Sequence, residues 1–362
     1  MIKFEPSEDQ ALIVETVHQF AENEIRPRAR ECDEACEMPK EVLSQAHELG
    51  LVANSLPEAY GGGEERSAVT GCLIAEELAW GDLAIALEIL SPTLLGLPVA
   101  EFGSQAQRDS ILPALCGPDF LAGSLAVTEP DFDFDVYRPR STARREGDEY
   151  VLDGLKCQVP APPADLPFLV TALEQDKLQA FLVSPDADGV KRTRESNLGI
   201  RGLATEEISL GGVRIPASDR LGGEAGADVR SLITRGRVAL AAMAVGVARA
   251  AFEISVEYAK ERETFGAPIA TRQAIAFKLA DMAIEIDGVR LLTWEAAWNL
   301  DQNKDALREA TLAYQQAQRV ALVVADGSVQ VLGGHGYIRD YLHEMYLRNA
   351  SGFASFEALS LI

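Results

Sequence analysis

QVLGGHGYIRDYLHEMYLRN, residues 330–349, decides how this chain is read. A double glycine followed by Gly-Tyr has three possible uses: a phosphate cradle, a helix stop, or one half of a cofactor site. A dinucleotide-type phosphate loop needs a strand before its glycines and a helix after them. The preceding ALVVADGSVQVL (321–332) reads as helix, so the Rossmann reading fails on context. A left-handed cap at Gly333 or Gly334 would explain the glycines locally. A cofactor half-site would need companions elsewhere in the chain.

Outward from that stretch, the C-terminal region 226–362 is helical. In IAFKLADMAIEIDGVRLL (275–292), Ile275, Leu279, Met282, Ile286, Val289 and Leu292 step by three or four, predicting one continuous apolar stripe on a long helix. VALAAMAVGVARAAFEI (238–254) and residues 310–332 are apolar on more than one face and are expected to be buried. The region 122–225 changes character. EYVLDGLK (149–156) suggests strand–turn–strand with Asp153-Gly154 as the turn, and PFLVTAL, LQAFLVS and VRIP are short apolar runs. This predicts a β domain of sandwich or barrel type. Region 1–121 reads as helices, with a glycine-rich loop at PEAYGGGEERS (57–67). The expected fold class is mainly α with a β domain: an N-terminal helical domain, a middle β-barrel or sandwich domain, and a C-terminal four-helix bundle.

Composition narrows function. With 33 Lys plus Arg against 56 Asp plus Glu, the 362-residue chain carries a formal charge of −23. Nucleic-acid binding rests on phosphate neutralisation, so this excess of acid argues against it and against anionic membrane surfaces. Five scattered cysteines and four histidines form no metal-ligand pattern, so no metal is expected. MIKFEPSEDQ lacks an apolar leader core, and no uninterrupted apolar run reaches spanning length. A cytoplasmic location is the expectation.

Four stretches together resemble the acyl-CoA dehydrogenase family: LAVTEP (125–130), GDEYVLDGLK (147–156), AKERETFGAPIATRQAIAFKLADM (259–282) and QVLGGHGYIRDYLHEMYLRNA (330–350). They occur in the family's order and span nearly the whole chain. The resemblance implies FAD, an acyl-CoA substrate, a tetramer, and an electron-transfer flavoprotein as acceptor. It implies that Arg262, Phe265, Gln273, Gln330, Gly333 and Gly334 reach across to flavin held by a neighbouring subunit, while Thr128 helps to hold flavin in the chain's own middle domain. It places the α-proton base at Glu357, counted from Arg348, and Arg237 near that base and the acyl group. A thioester acidifies its α C–H only modestly, so a carboxylate must sit beside that proton while flavin takes the β hydrogen.

The chain departs from the family on the holding side. Asp133 and Phe134 stand at its Gly-Ser positions, Gln158-Val159-Pro160 at its Trp-x-Thr, and Glu357-Ala358-Leu359 at its Glu-Gly-Thr. These changes add bulk and negative charge and remove hydroxyl donors, whereas the reaching side is intact. Two arrangements stay open: a homotetrameric enzyme, or one subunit of a heterotetramer that completes a related chain's flavin site. A non-catalytic assembly subunit with the same fold is the alternative from another class.

Overall fold

The computed structural model describes residues 5–64 and 66–362. The first four positions of the chain's start and Glu65 of the glycine-rich stretch lie outside the described residues.

Helix α1 (Glu8–Phe20) opens on a capping box, in which Ser7 Oγ accepts from Gln10 N (3.2 Å) and Gln10 Oε1 accepts from Ser7 N (3.0 Å). A π-helical turn (Ala21–Ile25) and a 3₁₀ turn carry it into α2 (Ala29–Ala35), where Cys36 ends the helix in the left-handed conformation. Then follow α3 (Lys40–Glu48), α4 (Ala68–Gly81), α5 (Leu83–Leu90), α6 (Thr93–Phe102) and α7 (Gln105–Leu115).

The middle strands are β1 (Leu125–Ala126), β2 (Thr142–Glu146), β3 (Glu149–Pro160), β4 (Phe168–Glu174), β5 (Lys177–Val183), β6 (Val190–Arg194) and β7 (Thr205–Pro216). They form one hydrogen-bonded sheet in the order β1-β4-β2-β3-β7-β6, with β5 also on β4. Its own core is built from Tyr150, Leu152, Phe168, Val170, Phe181, Val183, Ile208 and Ile215.

The expected turn at Asp153-Gly154 is not there. The β2–β3 hairpin turns at Gly147-Asp148, with Glu146 paired to Glu149 and Gly147 at φ +66°. Asp153-Gly154 instead forms a bulge inside β3, where Asp153 Oδ1 accepts from Gly212 N (2.8 Å). Glycine is required at 154 because a Cβ there would lie 2.1 Å from Ser141 Oγ. The dipeptide serves a close crossing, not a reversal.

The C-terminal region contains α8 (Val229–Glu261), a small hairpin of β8 (Glu263–Thr264) and β9 (Ala267–Pro268), α9 (Gln273–Asp301), α10 (Leu307–Leu332) and the short α11 (His343–Gly352). Helix α8 is buried on most sides, as its alanine-rich text predicts. On α9 the predicted stripe buries Met282, Ile286 and Val289, but Leu292 is 38% exposed. The stripe turns instead onto Thr293, Ala296, Ala297 and Leu300. A 3.6-residue helix rotates away from its neighbour over eight turns, so a single straight face cannot stay covered. The other side of α9 exposes Phe277, Ile284 and Leu291 at seven-residue intervals, and α10 exposes Leu312, Leu322 and Val323. Both faces are available to another chain.

Although no apolar run of spanning length is uninterrupted, two segments that include charged residues, Leu83–Phe102 and Val229–Glu261, are long and apolar enough to span a membrane by length and composition. Buried shares of 89% and 78% show their apolar surface to be consumed by the protein's own core.

His343 is 3% exposed, and neither ring nitrogen has a partner among the described residues. Burial pushes its imidazole down to about 4. Between the ordinary histidine value and 4 the unfolded chain binds more protons, so this group withdraws stability as pH falls. His343→Leu is expected to remove that increment. In urea unfolding, the variant's stability relative to the parent should rise by about 2 kcal/mol from pH 7 to pH 5. A difference that does not change with pH counts against the assignment.

Candidate active site

Glu357 lies just after α11, in a segment held from three sides. Tyr314 of α10 donates its hydroxyl to the carbonyls of Phe353 (2.8 Å) and Phe356 (2.6 Å). Leu361 N donates to Thr93 Oγ1 (3.2 Å). Ala358 sits at φ +48°, and its Cα would be 3.1 Å from a Cβ on Gly236, so the missing side chain at 236 lets the turn approach α8. The Glu357 carboxylate faces Arg237, with Nη2 at 2.9 Å from Oε1 and Nε at 3.4 Å from Oε2. Arg237 also donates to Thr311 Oγ1 (2.9 Å) and to Tyr137 Oη (3.3 Å). Side-chain exposures of 13% and 18% make this a sheltered ion pair.

Tyr137, Thr311 and Tyr314 escaped the reading of the sequence. The three-residue spacing of Thr311 and Tyr314 places both on one face of α10, a signal that was available. Tyr137 comes from a loop of the middle domain and had no such pattern.

The middle domain meets this segment through Gln158. Its backbone N–H donates to the Glu195 carboxylate (3.1 Å), its φ is +53°, and its Nε2 donates to Ser355 Oγ (3.0 Å). Gln158 Oε1 is buried with no partner among the described residues. Thr128 is close by along the sheet, since its carbonyl accepts from Cys157 N (2.9 Å). Its neighbour Glu129 has a structural task. The carboxylate accepts from Arg140 N (2.6 Å), Ser141 N (2.9 Å), Ser141 Oγ (2.5 Å) and Lys156 Nζ (2.8 Å). Burial pushes Lys156 down to about 8, with Glu129 acting against that fall. Asp133 does not stand as a bare negative charge: Arg140 reaches both it (2.8 Å) and Asp131 (2.6 Å). Phe134 packs against the core, and Pro160 accepts from Ser124 Oγ (2.7 Å) through its carbonyl.

The other predicted residues gather at the opposite end of α8. Arg262 follows its last residue, Phe265 tips the β8–β9 hairpin, Gln273 begins α9, and Gln330, Gly333 and Gly334 end α10. A small cluster of Ala259, Ile269, Val331 and Leu332 ties these ends together. Every one of the six is exposed, Phe265 at 98%. Gly333 has φ +57° and ψ −128°, so it stops α10 but not as a left-handed cap. A Cβ on either Gly333 or Gly334 would meet nothing, which leaves their backbone open to a ligand. Arg237 on α8 and Arg262 at its C-cap are about 37 Å apart along the helix axis at 1.5 Å per residue. The structure therefore makes two groups, not one: Glu357 and Arg237 at one end, and the six exposed residues at the other, while Thr128 stands in the middle domain beside Cys157.

Comparison with known proteins gives this division its context. Three family models match in succession: the acyl-CoA dehydrogenase N-terminal domain over residues 7–118, the middle domain over 124–213, and the C-terminal domain over 226–357. "Probable acyl-CoA dehydrogenase YngJ" of Bacillus subtilis is 36% identical over 359 residues, covering 96% of this chain and 94% of that protein.

The chain belongs to the acyl-CoA dehydrogenase family.

Among solved structures, glutaryl-CoA dehydrogenase of Mycobacterium smegmatis in complex with FADH2 superposes with a TM-score of 0.87 at 27% identity, covering 97% of this chain and 91% of that one. A chain from the solved structure described as "Electron transferring flavoprotein of Acidaminococcus fermentans: Towards a mechanism of flavin-based electron bifurcation" superposes with a TM-score of 0.88 at 29% identity, covering 98% of this chain and 95% of that one. As an acyl-CoA dehydrogenase, the protein is an FAD-dependent oxidoreductase of the class acting on CH–CH donors. The exposed group fits a flavin dinucleotide: it offers a guanidinium with no ion-pair partner within the described residues, a bare aromatic ring and open glycine backbone. At the Glu357 end the fit is poorer, because Gln158 bridges the middle domain to Ser355.

The Glu129–Lys156 pair yields a stability test. Lys156→Met leaves a buried carboxylate without its cation and should cost about 3–5 kcal/mol. Adding Glu129→Gln should recover part of that loss in chemical unfolding. A single variant as stable as the parent would remove the pair from the fold's essential contacts.

Proposed function

We propose that the protein removes hydrogen across the α,β bond of an acyl-CoA thioester, with Glu357 as the base. The observation that carries this reading is the sheltered Arg237–Glu357 pair at the seam of the middle domain and the bundle. Glu357 takes the α proton, and the Tyr314 and Gly236 contacts hold in place the backbone segment that carries it. Arg237, fixed by Thr311 and Tyr137, exchanges its bond to Glu357 for the acyl carbonyl region as the carboxylate is protonated. FAD, when bound, would supply the hydride acceptor for the β hydrogen. Thr128 lines the chain's own flavin cleft, while Arg262, Phe265, Gln273, Gln330, Gly333 and Gly334 serve a flavin held by a neighbour. Electrons then pass to an electron-transfer flavoprotein.

The separation of the two groups supports an assembly with at least one other chain, for which the exposed Phe277–Ile284–Leu291 stripe offers a surface. In a homotetramer, Gln158 swings off Ser355 to admit the ring. A second reading is favoured by the same bridge and by the orphaned Gln158 Oε1: in a heterotetramer the chain lends only its exposed half to a related chain's flavin, and its own cleft stays shut.

Glu357→Gln is expected to lower turnover on acyl-CoA by about 10²–10⁴ while flavin per chain is unchanged; undiminished turnover removes Glu357 from the mechanism. Flavin content and native mass of the chain purified without relatives separate the two assemblies. Stoichiometric FAD on a tetramer supports the homomeric enzyme. A flavin-poor product that gains FAD on Gln158→Trp supports the shut cleft.

A further inference from the structure

A cavity of about 550 Å³ lies where all three regions meet, lined by Cys36 after α2, residues 194–198, Arg201 and Leu203 from the end of β6 to the start of β7, and Tyr337, Arg339, Glu344 and Arg348 before and within α11. Its walls are firmly set. A Cβ on Gly199 would lie 2.4 Å from the Arg348 carbonyl oxygen, and one on Gly202 would lie 2.2 Å from Cys32 Sγ. Ile200 N donates to Asn349 Oδ1 (2.8 Å).

Four guanidiniums face this space, an unusual concentration in a chain of net charge −23. Their partners differ. Arg348 is fully engaged with Asp33 (2.7 Å) and Glu344 (2.8 Å). Arg339 approaches Asp33 and Glu34 only at 3.9 and 4.0 Å. Arg194 and Arg201 have no carboxylate within ion-pair distance among the described residues. Each spends one Nη2 on Cys36, Arg194 on its carbonyl (3.1 Å) and Arg201 on its Sγ (3.4 Å). The nearby acids are occupied. Glu195 accepts from Gln158 N (3.1 Å) and Thr205 Oγ1 (2.8 Å), and Glu344 also holds Arg30 (2.5 Å). Several N–H donors on Arg194, Arg201 and Arg339 therefore remain unspent, in the forked geometry that suits phosphate. Tyr337 lines the same cavity, 87% exposed. A bare ring beside free guanidiniums provides a stacking surface for a base next to phosphate donors.

We infer that this three-way junction is a nucleotide-binding pocket, with Arg194, Arg201 and Arg339 on the phosphates and Tyr337 on the base. It is distinct from the flavin-reaching group, because none of Arg262, Phe265, Gln273, Gln330, Gly333 or Gly334 lines it. Its size suits a nucleoside diphosphate.

The test is calorimetric titration of the full-length protein with ADP, pyrophosphate and adenosine, in saturating FAD so that any cofactor site is filled. ADP should bind, pyrophosphate more weakly, and Arg194→Ala/Arg201→Ala should weaken ADP by about a hundredfold. Tyr337→Ala should weaken ADP but leave pyrophosphate unchanged. If the double variant loses its melting transition, Arg194→Gln alone should still cost about tenfold. Absence of ADP binding, binding indifferent to these arginines, or binding lost through Arg262→Ala or competed away by more FAD would each overturn the assignment.

Discussion

The closeness of α4 to α8 is the constraint on which the rest depends. A Cβ on Gly246 would lie 2.2 Å from the Glu76 carbonyl oxygen, so the two backbones touch at a point only glycine permits. Around that crossing the charges are paired and mostly sheltered, although Arg249 Nε finds no hydrogen-bond partner among the described residues. Arg249 of α8 spans Glu76 (2.9 Å) and Glu77 (2.6 Å), Arg290 of α9 returns to Glu76 (3.0 Å), and His18 of α1 contacts Glu77 (2.8 Å). A buried charge left without its partner is expensive, so this network allows one docking of the N-terminal helices on the bundle. That docking orients α8, whose first turns carry Arg237 and whose end carries Arg262.

A single 33-residue helix thus separates two chemistries that the sequence alone lists side by side. Near its start the surroundings are enclosed: Tyr137 of the middle domain meets Thr311, Tyr314 and Glu357 of the C-terminal region. At its end the side chains are bare, because the β8–β9 hairpin and the end of α10 project beyond the core. Enclosure suits proton transfer from carbon, where water would compete with substrate for the carboxylate. Exposure suits residues whose ligand belongs to another chain. The rigidity of one helix fixes the distance between the two groups of residues.

The family pattern and the fold class were readable because they depend on local signals. Alanine-rich α8, the Ser7 capping box, the short apolar strands and the Gly333 stop each follow from neighbours within a few residues. Asp153-Gly154 was misread for the complementary reason. Its composition is that of a turn, but Ser141, distant in the chain, is what demands the glycine. Leu292 was misread because a regular spacing does not state where the neighbouring helix ends.

By itself, then, the sequence determined the order of helical, β and helical regions, the candidate base at Glu357 and the intact reaching motif, since periodicity, glycine placement and motif spacing are properties of the chain. Tertiary structure alone decided that Arg237 pairs with Glu357 while Arg262 stands exposed at the other end of α8, that Gln158 closes onto Ser355, that Asp133 is neutralised by Arg140, and that Arg194 and Arg201 converge on Cys36. These are contacts between residues far apart in the chain. Their free energies depend on burial and on which partners are already taken, and neither can be read from a linear order.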